Sequence, residues 1–272
     1  MRMGDEGDQR GARRDKAHLI DVTVPNAMRA ADFLDGGKNN FTADREAVRA
    51  ITASAPAIER IPAEARAFRH RVIKYLVTEA GLRQFFVIGT SIVPPGTTHE
   101  VAQALDPESR VVYIDSDPMV LSGAQTVLSS ARPGSVSWVG GDIAKVDAIV
   151  ANALPVLNMS EPVAILISAL AHLPTVAAAA QAVSSLVAAV PSGSYIALHH
   201  MANDLDPAMP AALRHWNKTA STPITLRSRA DIHSFVASLD LVAPGVVPVT
   251  EWRPEGAPAT PVPVHGVVAR KP

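Results

Sequence analysis

The feature that most constrains this chain is a series of short, unbroken apolar runs, each ending at a small or acidic residue. Phe85-Phe86-Val87-Ile88 stops at Gly89, the run that follows Arg110, Val111-Val112-Tyr113-Ile114, at Asp115, and Val163-Ala164-Ile165-Leu166-Ile167 at Ser168. Residues 195–198 have the same character, and Ser135 to Val139 is a further strand candidate ending before Gly140-Gly141-Asp142. A strand with one face in water alternates apolar and polar residues. These runs do not, so both of their faces are buried. Helical stretches lie between them. Thr98 is placed to cap a helix through Leu105, Asp117 followed by Pro118 is a helix start, and residues 175–190 are Ala-rich. Buried strands alternating with helices predict an α/β fold with a mostly parallel sheet and helices on both faces. Beyond residue 206 the pattern gives helices to about 217 and over 229–239, then strands at 246–249 and 262–269. The expectation is a seven-stranded sheet ending in an antiparallel hairpin.

The N-terminal part reads differently. Residues 24–81 show no strand alternation and predict helices over 26–34, 41–53 and 62–80, with Gly36-Gly37 and Gly81 as stops. In the third helix Ala65, Phe68, Val72 and Leu76 recur at three- and four-residue steps, with Arg66, His70 and Lys74 on another face. Residues 1–23 carry mixed charge and read as a disordered tail. The division expected is therefore 1–23 tail, 24–82 helical lid and 83–272 Rossmann-like domain. A chain of 272 residues, 47% hydrophobic and 19% charged, can bury a large core. Its net charge of −1 argues against a nucleic-acid partner. The absence of cysteine excludes disulfides, thiolate metal sites and a cysteine nucleophile, and fits a cytoplasmic protein. His172, Pro174 and Gln181 interrupt the most apolar stretch, so no membrane span is expected. The nine histidines show no ligand spacing, and no metal is expected.

In open α/β sheets, ligands bind beyond the carboxyl ends of the strands. That rule selects Gly89 and Thr90, Asp115 and Ser116, Asp142 and Ile143, then His172 and His200. Two acids at successive strand ends suit an adenosine, Asp115 for the ribose hydroxyls and Asp142 for the adenine amino group. Either can equally cap the helix that follows it. His172 and one of the adjacent His199 and His200, with His200 selected, are candidate general bases because imidazole titrates near neutrality, and each can equally be a hydrogen-bonded wall histidine. Met201, Met209, His215 and Trp216 are candidates for an apolar acceptor wall.

The run Ala31-Asp32-Phe33-Leu34-Asp35-Gly36-Gly37-Lys38-Asn39-Asn40-Phe41, followed by Ala43-Asp44-Arg45, resembles the N-terminal signature of an actinobacterial family of S-adenosylmethionine-dependent methyltransferases, DUF574. Blocks at 99–103, 111–118 and 193–195 are similar to later parts of the same family. The resemblance implies a class I methyltransferase fold with a helical N-terminus closing over the cofactor. It implies S-adenosylmethionine as cofactor and a small-molecule acceptor, with natural-product metabolism as a candidate setting. It adds Phe41 and Arg45 to the cofactor-binding set. A homodimer is a separate candidate assembly. One departure stands out. The family's first strand usually ends in a DIGTG-like motif, whereas this chain reads Val87-Ile88-Gly89-Thr90-Ser91. Loss of a charge-assisted hydrogen bond at Val87 costs about 1.5–3 kcal/mol. Two other readings follow: a methyltransferase scaffold catalysing a cyclisation, rearrangement or elimination, and a non-catalytic binding or regulatory module. A buried, apolar setting for Val87 would favour the first of these two.

Overall fold

Five strands pair in parallel: β1 (Gln84–Ile88), β2 (Arg110–Asp115), β3 (Val136–Gly140), β4 (Ala164–Ile167) and β5 (Tyr195–Met201), in the order β3-β2-β1-β4-β5. The computed structural model describes residues 20–90, 96–127, 134–257 and 259–272. Residues 1–19 of the predicted tail lie outside that set, as does Ser91. β8 (Val264–Arg270) runs antiparallel beside β5, and its other edge takes β6 (Asp240–Leu241) and β7 (Val247–Pro248). The sheet therefore has eight strands rather than seven. The additional strand, β6, is two exposed residues long, too short to show any period.

The predicted helices form with small changes of boundary. α1 (Ala27–Leu34), α2 (Thr42–Ser54) and α3 (Ile61–Thr78) precede β1. α4 (Thr98–Leu105) is capped one residue earlier than expected, by Thr97, whose N–H donates to the Glu100 carboxylate at 2.7 Å. α5 (Pro118–Val127), α7 (Val176–Ala188), α8 (Met209–Trp216) and α9 (Arg229–Phe235) follow the sequence pattern. α6 (Val146–Ala153) was not anticipated; Lys145 precedes it and supplies no side-chain cap.

The continuous runs are buried on both faces, as a parallel sheet requires. Phe85, Val87, Val111, Tyr113 and Leu166 share one apolar cluster with Val48 and Ile51 of α2 and Phe68, Val72 and Leu76 of α3. Phe86, Ile88, Val112, Ile114 and Ile165 pack on the other face against α6, α7 and α9. The N-terminal helices are thus continuous with the sheet's own core. Gly266 shows how tightly α3 lies on the sheet: a Cβ there would come within 2.8 Å of the Phe68 ring.

Candidate cofactor site

The signature between α1 and α2 is a self-contained fold element. Gly36 has φ +77°, and a Cβ on Gly37 would fall 2.2 Å from an Asp32 oxygen. Asp32 Oδ2 instead accepts from the Asn39 N–H and from Asn40 Nδ2, both at 2.8 Å. Asp44 is fully buried and accepts from Arg29 Nε, the Phe41 N–H and the Asn26 N–H. A buried acid–guanidinium pair with this many hydrogen bonds is compensated for its desolvation. Arg45 turns to the Asn40 carbonyl and side chain and to Thr42, and the Phe41 ring lies 5.3 Å from the Arg29 guanidinium carbon. Neither Phe41 nor Arg45 lines the cavity described below. Their hydrogen bonds and ring contact shape the α1–α2 loop.

That loop positions α1 over the carboxyl ends of the strands. Asn26 caps α1 by accepting from the Met28 N–H at 2.8 Å, and its Nδ2 donates to Asp117 Oδ2 at 3.1 Å. The Ala27 N–H donates to Thr222 Oγ1 at 2.7 Å, and the Ser221 N–H to the Pro25 carbonyl at 2.8 Å. Beneath α1 lies a cavity of about 480 Å³. Its floor is the strand ends and its roof α1, α2 and α3, with α8 and residues 221–224 closing one side.

Gly89, Thr90, Asp115, Ser116, Asp142, Ile143, His172 and His200 all line this cavity. Gly89 has φ +79°, and a Cβ there would lie 2.8 Å from the Ala169 nitrogen, so the β1 and β4 loops approach only because it is glycine. Asp115 is buried. It accepts from the Thr90 N–H and the Asp117 N–H, each at 2.9 Å, tying the first two strand-end loops together. Burial raises its pKa, and those two backbone bonds oppose the rise. Asp117 accepts from the Met119 N–H at 2.8 Å, the capping arrangement its sequence implies. Asp142 is exposed at the rim and accepts from the Ala144 N–H at 2.9 Å. His172 is also exposed, with Nδ1 3.2 Å from the Pro223 carbonyl.

His200 takes a different role from the one expected. Its Nδ1 is 2.8 Å from the Met201 carbonyl, and its Nε2 is 2.5 Å from Arg227 Nη1. Arg227 is fully buried and also donates to the Leu170, Leu173 and Thr175 carbonyls. Since guanidinium is only a donor, Nε2 is an acceptor and the ring is neutral. Burial lowers its pKa to about 4, so both ring nitrogens are committed to holding the β4 loop against β5. The strand pleat turns His199 to the opposite face, where its ring packs edge-on against Phe68 and lines the cavity. Burial and the Arg69 charge lower its pKa to about 4 as well. No hydrogen bond from its ring is found among the described residues. Met201 and Trp216 join the cavity wall, whereas Met209 is fully buried in the core and His215 lies outside the lining.

Val87 is 4% exposed and belongs to the apolar cluster under α3. Its neighbours across the strands are Tyr113 and Leu166. This is the buried, apolar setting that the sequence reading tied to a chemistry other than methyl transfer.

A sheet of order 3-2-1-4-5 followed by an antiparallel strand inserted beside β5, with a cavity at the parallel strand ends, defines a Rossmann-like class I methyltransferase fold. The S-adenosyl methyltransferase family matches residues 13–272, and the chain belongs to that family. It is similar to a DUF574 family protein from Streptomyces avermitilis MA-4680, with 34% identity, 93% of this chain and 99% of that one covered, and a TM-score of 0.87. A candidate methyltransferase from Thermobifida fusca YX is 29% identical over 92% of this chain and 96% of its own, with a TM-score of 0.85. No curated protein matches the chain. The chain is accordingly an enzyme of the methyltransferase class, with S-adenosylmethionine as its cofactor. The cavity fits that cofactor: its volume is that of a small-molecule site, with acids at one end and apolar helices above. No helix among the described residues is long and apolar enough to cross a membrane.

Proposed function

We propose that the strand-end cavity holds S-adenosylmethionine and a small-molecule acceptor, and that the chain methylates that acceptor in natural-product metabolism in the cytoplasm. The observation that carries this reading is Asp115, a buried carboxylate on the cavity wall between the first two strand-end loops. Two backbone donors hold it rigid, and a carboxylate has further acceptor sites for a ribose. In this reading Asp115 and Ser116 take the ribose, Asp142 and Ile143 the adenine, and the backbone at Gly89 and Thr90 passes close to the remainder. Residues 24–82 act as the lid, excluding water through α1 and α2. When bound, S-adenosylmethionine supplies an electrophilic methyl group.

His172 is the general base on this account. Its Nδ1 contact to the Pro223 carbonyl favours the tautomer that leaves Nε2 free to accept an acceptor's proton. His199, neutral and on the cavity wall, is the second candidate and replaces His200. The test is calorimetry with S-adenosylhomocysteine. Asp115→Ala is expected to weaken binding by about 1.5–3 kcal/mol, the range for a hydrogen bond to a charged group. Unchanged affinity would remove Asp115 from the site.

The burial of Val87 favours a second reading, in which the scaffold catalyses a cyclisation, rearrangement or elimination. The readings separate on cofactor dependence. Turnover that needs added S-adenosylmethionine stoichiometrically supports methyl transfer. Turnover independent of it supports the second reading.

A further inference from the structure

α3 carries Arg66, Arg69 and His70, and two of the three have close protein partners. Arg66 pairs with Asp35 at 2.7 Å, and His70 Nε2 lies 2.8 Å from the Gly96 carbonyl. Arg69 differs. It lines the cavity, and its Nε is buried with no hydrogen-bond partner among the described residues. Its one bond there runs from Nη2 to the Gly96 carbonyl at 3.5 Å, the outer limit of a useful contact. Burial lowers the pKa of this guanidinium; Tyr113 opposes that effect, the Arg66 charge adds to it, and Asp35 opposes it. The sheet offers no counter-ion at this level, since Tyr113, Val87 and Leu166 stand side by side across β2, β1 and β4. Asp35, the acid that Arg69 senses, is already bonded to Arg66. A buried Nε–H with no partner among the described residues is costly, and an anion entering the cavity removes that cost.

We propose that Arg69 is the anchor for a carboxylate carried by the bound ligand. The planar guanidinium fork binds the two oxygens of a carboxylate through parallel N–H···O bonds. This rests on the cavity being the cofactor and acceptor site. The carboxylate has two possible sources, the amino-acid end of the cofactor or an acidic acceptor, and the same titrations distinguish them.

Calorimetry on the full chain would compare S-adenosylhomocysteine, which has the carboxylate, with 5′-methylthioadenosine, which lacks the amino-acid end. Benzoate titrated into the S-adenosylhomocysteine complex reads the acceptor side. If the cofactor supplies the carboxylate, Arg69→Gln lowers affinity for S-adenosylhomocysteine by about 10- to 100-fold and leaves methylthioadenosine unchanged. Arg69→Lys then recovers part of the loss. If the acceptor supplies it, Arg69→Gln leaves both nucleosides unchanged and removes benzoate binding. Either result supports the proposal. A folded Arg69→Gln that binds all three probes as the wild type does overturns it. Should neither nucleoside bind the wild type, the methyltransferase reading fails on its own. Benzoate binding to the ligand-free chain then decides for Arg69 if the variant loses it, and against Arg69 if binding is absent or unaffected. Should Arg69→Gln not fold, the Arg69 Nε–H resonance of the wild type serves instead. It is expected to shift with S-adenosylhomocysteine or benzoate but not with methylthioadenosine, and a resonance unmoved by every carboxylate overturns the proposal.

Discussion

The two ends of the cavity differ in how their charges are settled. At the β2 end, Asp115 is buried yet held by two backbone donors, and Asp117 caps α5 while accepting from Asn26. At the β1 end, Val87 stands where related chains are expected to carry an acid, and Arg69 is left with a buried Nε that has no partner among the described residues. One end is complete within the protein. The other becomes complete only with a ligand. A pocket can therefore keep its nucleoside-binding frame while its other half is open to change, because Asp115 is held by backbone N–H groups that no side-chain substitution at the β1 end removes.

The sharpest way to break this comparison is to restore the acid. Val87→Asp places a carboxylate in the apolar cluster beneath α3, where it needs a counter-charge. If Arg69 supplies that charge, Val87→Asp alone is expected to cost about 1–3 kcal/mol, and Val87→Asp with Arg69→Met about 3–5 kcal/mol. Urea denaturation of both variants and of Arg69→Met measures the coupling. Simple additivity would show that Arg69 does not serve the Val87 position.

A smaller effect separates the signature motif from the cavity. Asp32→Ala removes the acceptor for the Asn39 N–H and the Asn40 side chain. We expect about 1–3 kcal/mol of lost stability, with the affinity of the folded protein for S-adenosylhomocysteine held within about two-fold, a change under 0.5 kcal/mol. A large affinity loss at full stability would return the motif to the binding site.

A last effect is one of pH. His199 and His200 both have pKa values lowered by burial from 6.5 to about 4. The unfolded chain therefore takes up protons that the folded chain refuses as pH falls from 6.5 towards 4. Stability is full above 6.5 and declines below it, by at most about 1.4 kcal/mol per pH unit for each histidine. Asp115, whose pKa is raised, works in the opposite sense near its own titration. Urea midpoints across this range would be flat if the two rings were charged in the fold.

The runs of β1, β2 and β4 and their carboxyl ends were legible because burial on both faces leaves an unbroken apolar run, and each run stops abruptly. β6 was not legible, since two exposed residues carry no period. The choice between His199 and His200 depends on which way the pleat turns and on Arg227, which approaches from beyond residue 220. Adjacent histidines give no sign of that in sequence. Arg69 was hidden among Arg66, His70 and Lys74, since helical spacing sorts faces but does not say which basic residue meets the strand ends. Around Phe41 and Arg45 the sequence showed a dense motif but not its wiring, in which the hydrogen bonds close on each other around Asp32, Asn40 and Asp44.

The central claim, that the strand-end cavity is the cofactor site, is tested most directly by a crystal structure of the chain with S-adenosylhomocysteine. The account predicts the ribose hydroxyls on Asp115 and the adenine beside Asp142 and Ile143, beneath α1. A nucleoside bound outside this cavity, or lying in it with the ribose away from Asp115, would contradict it.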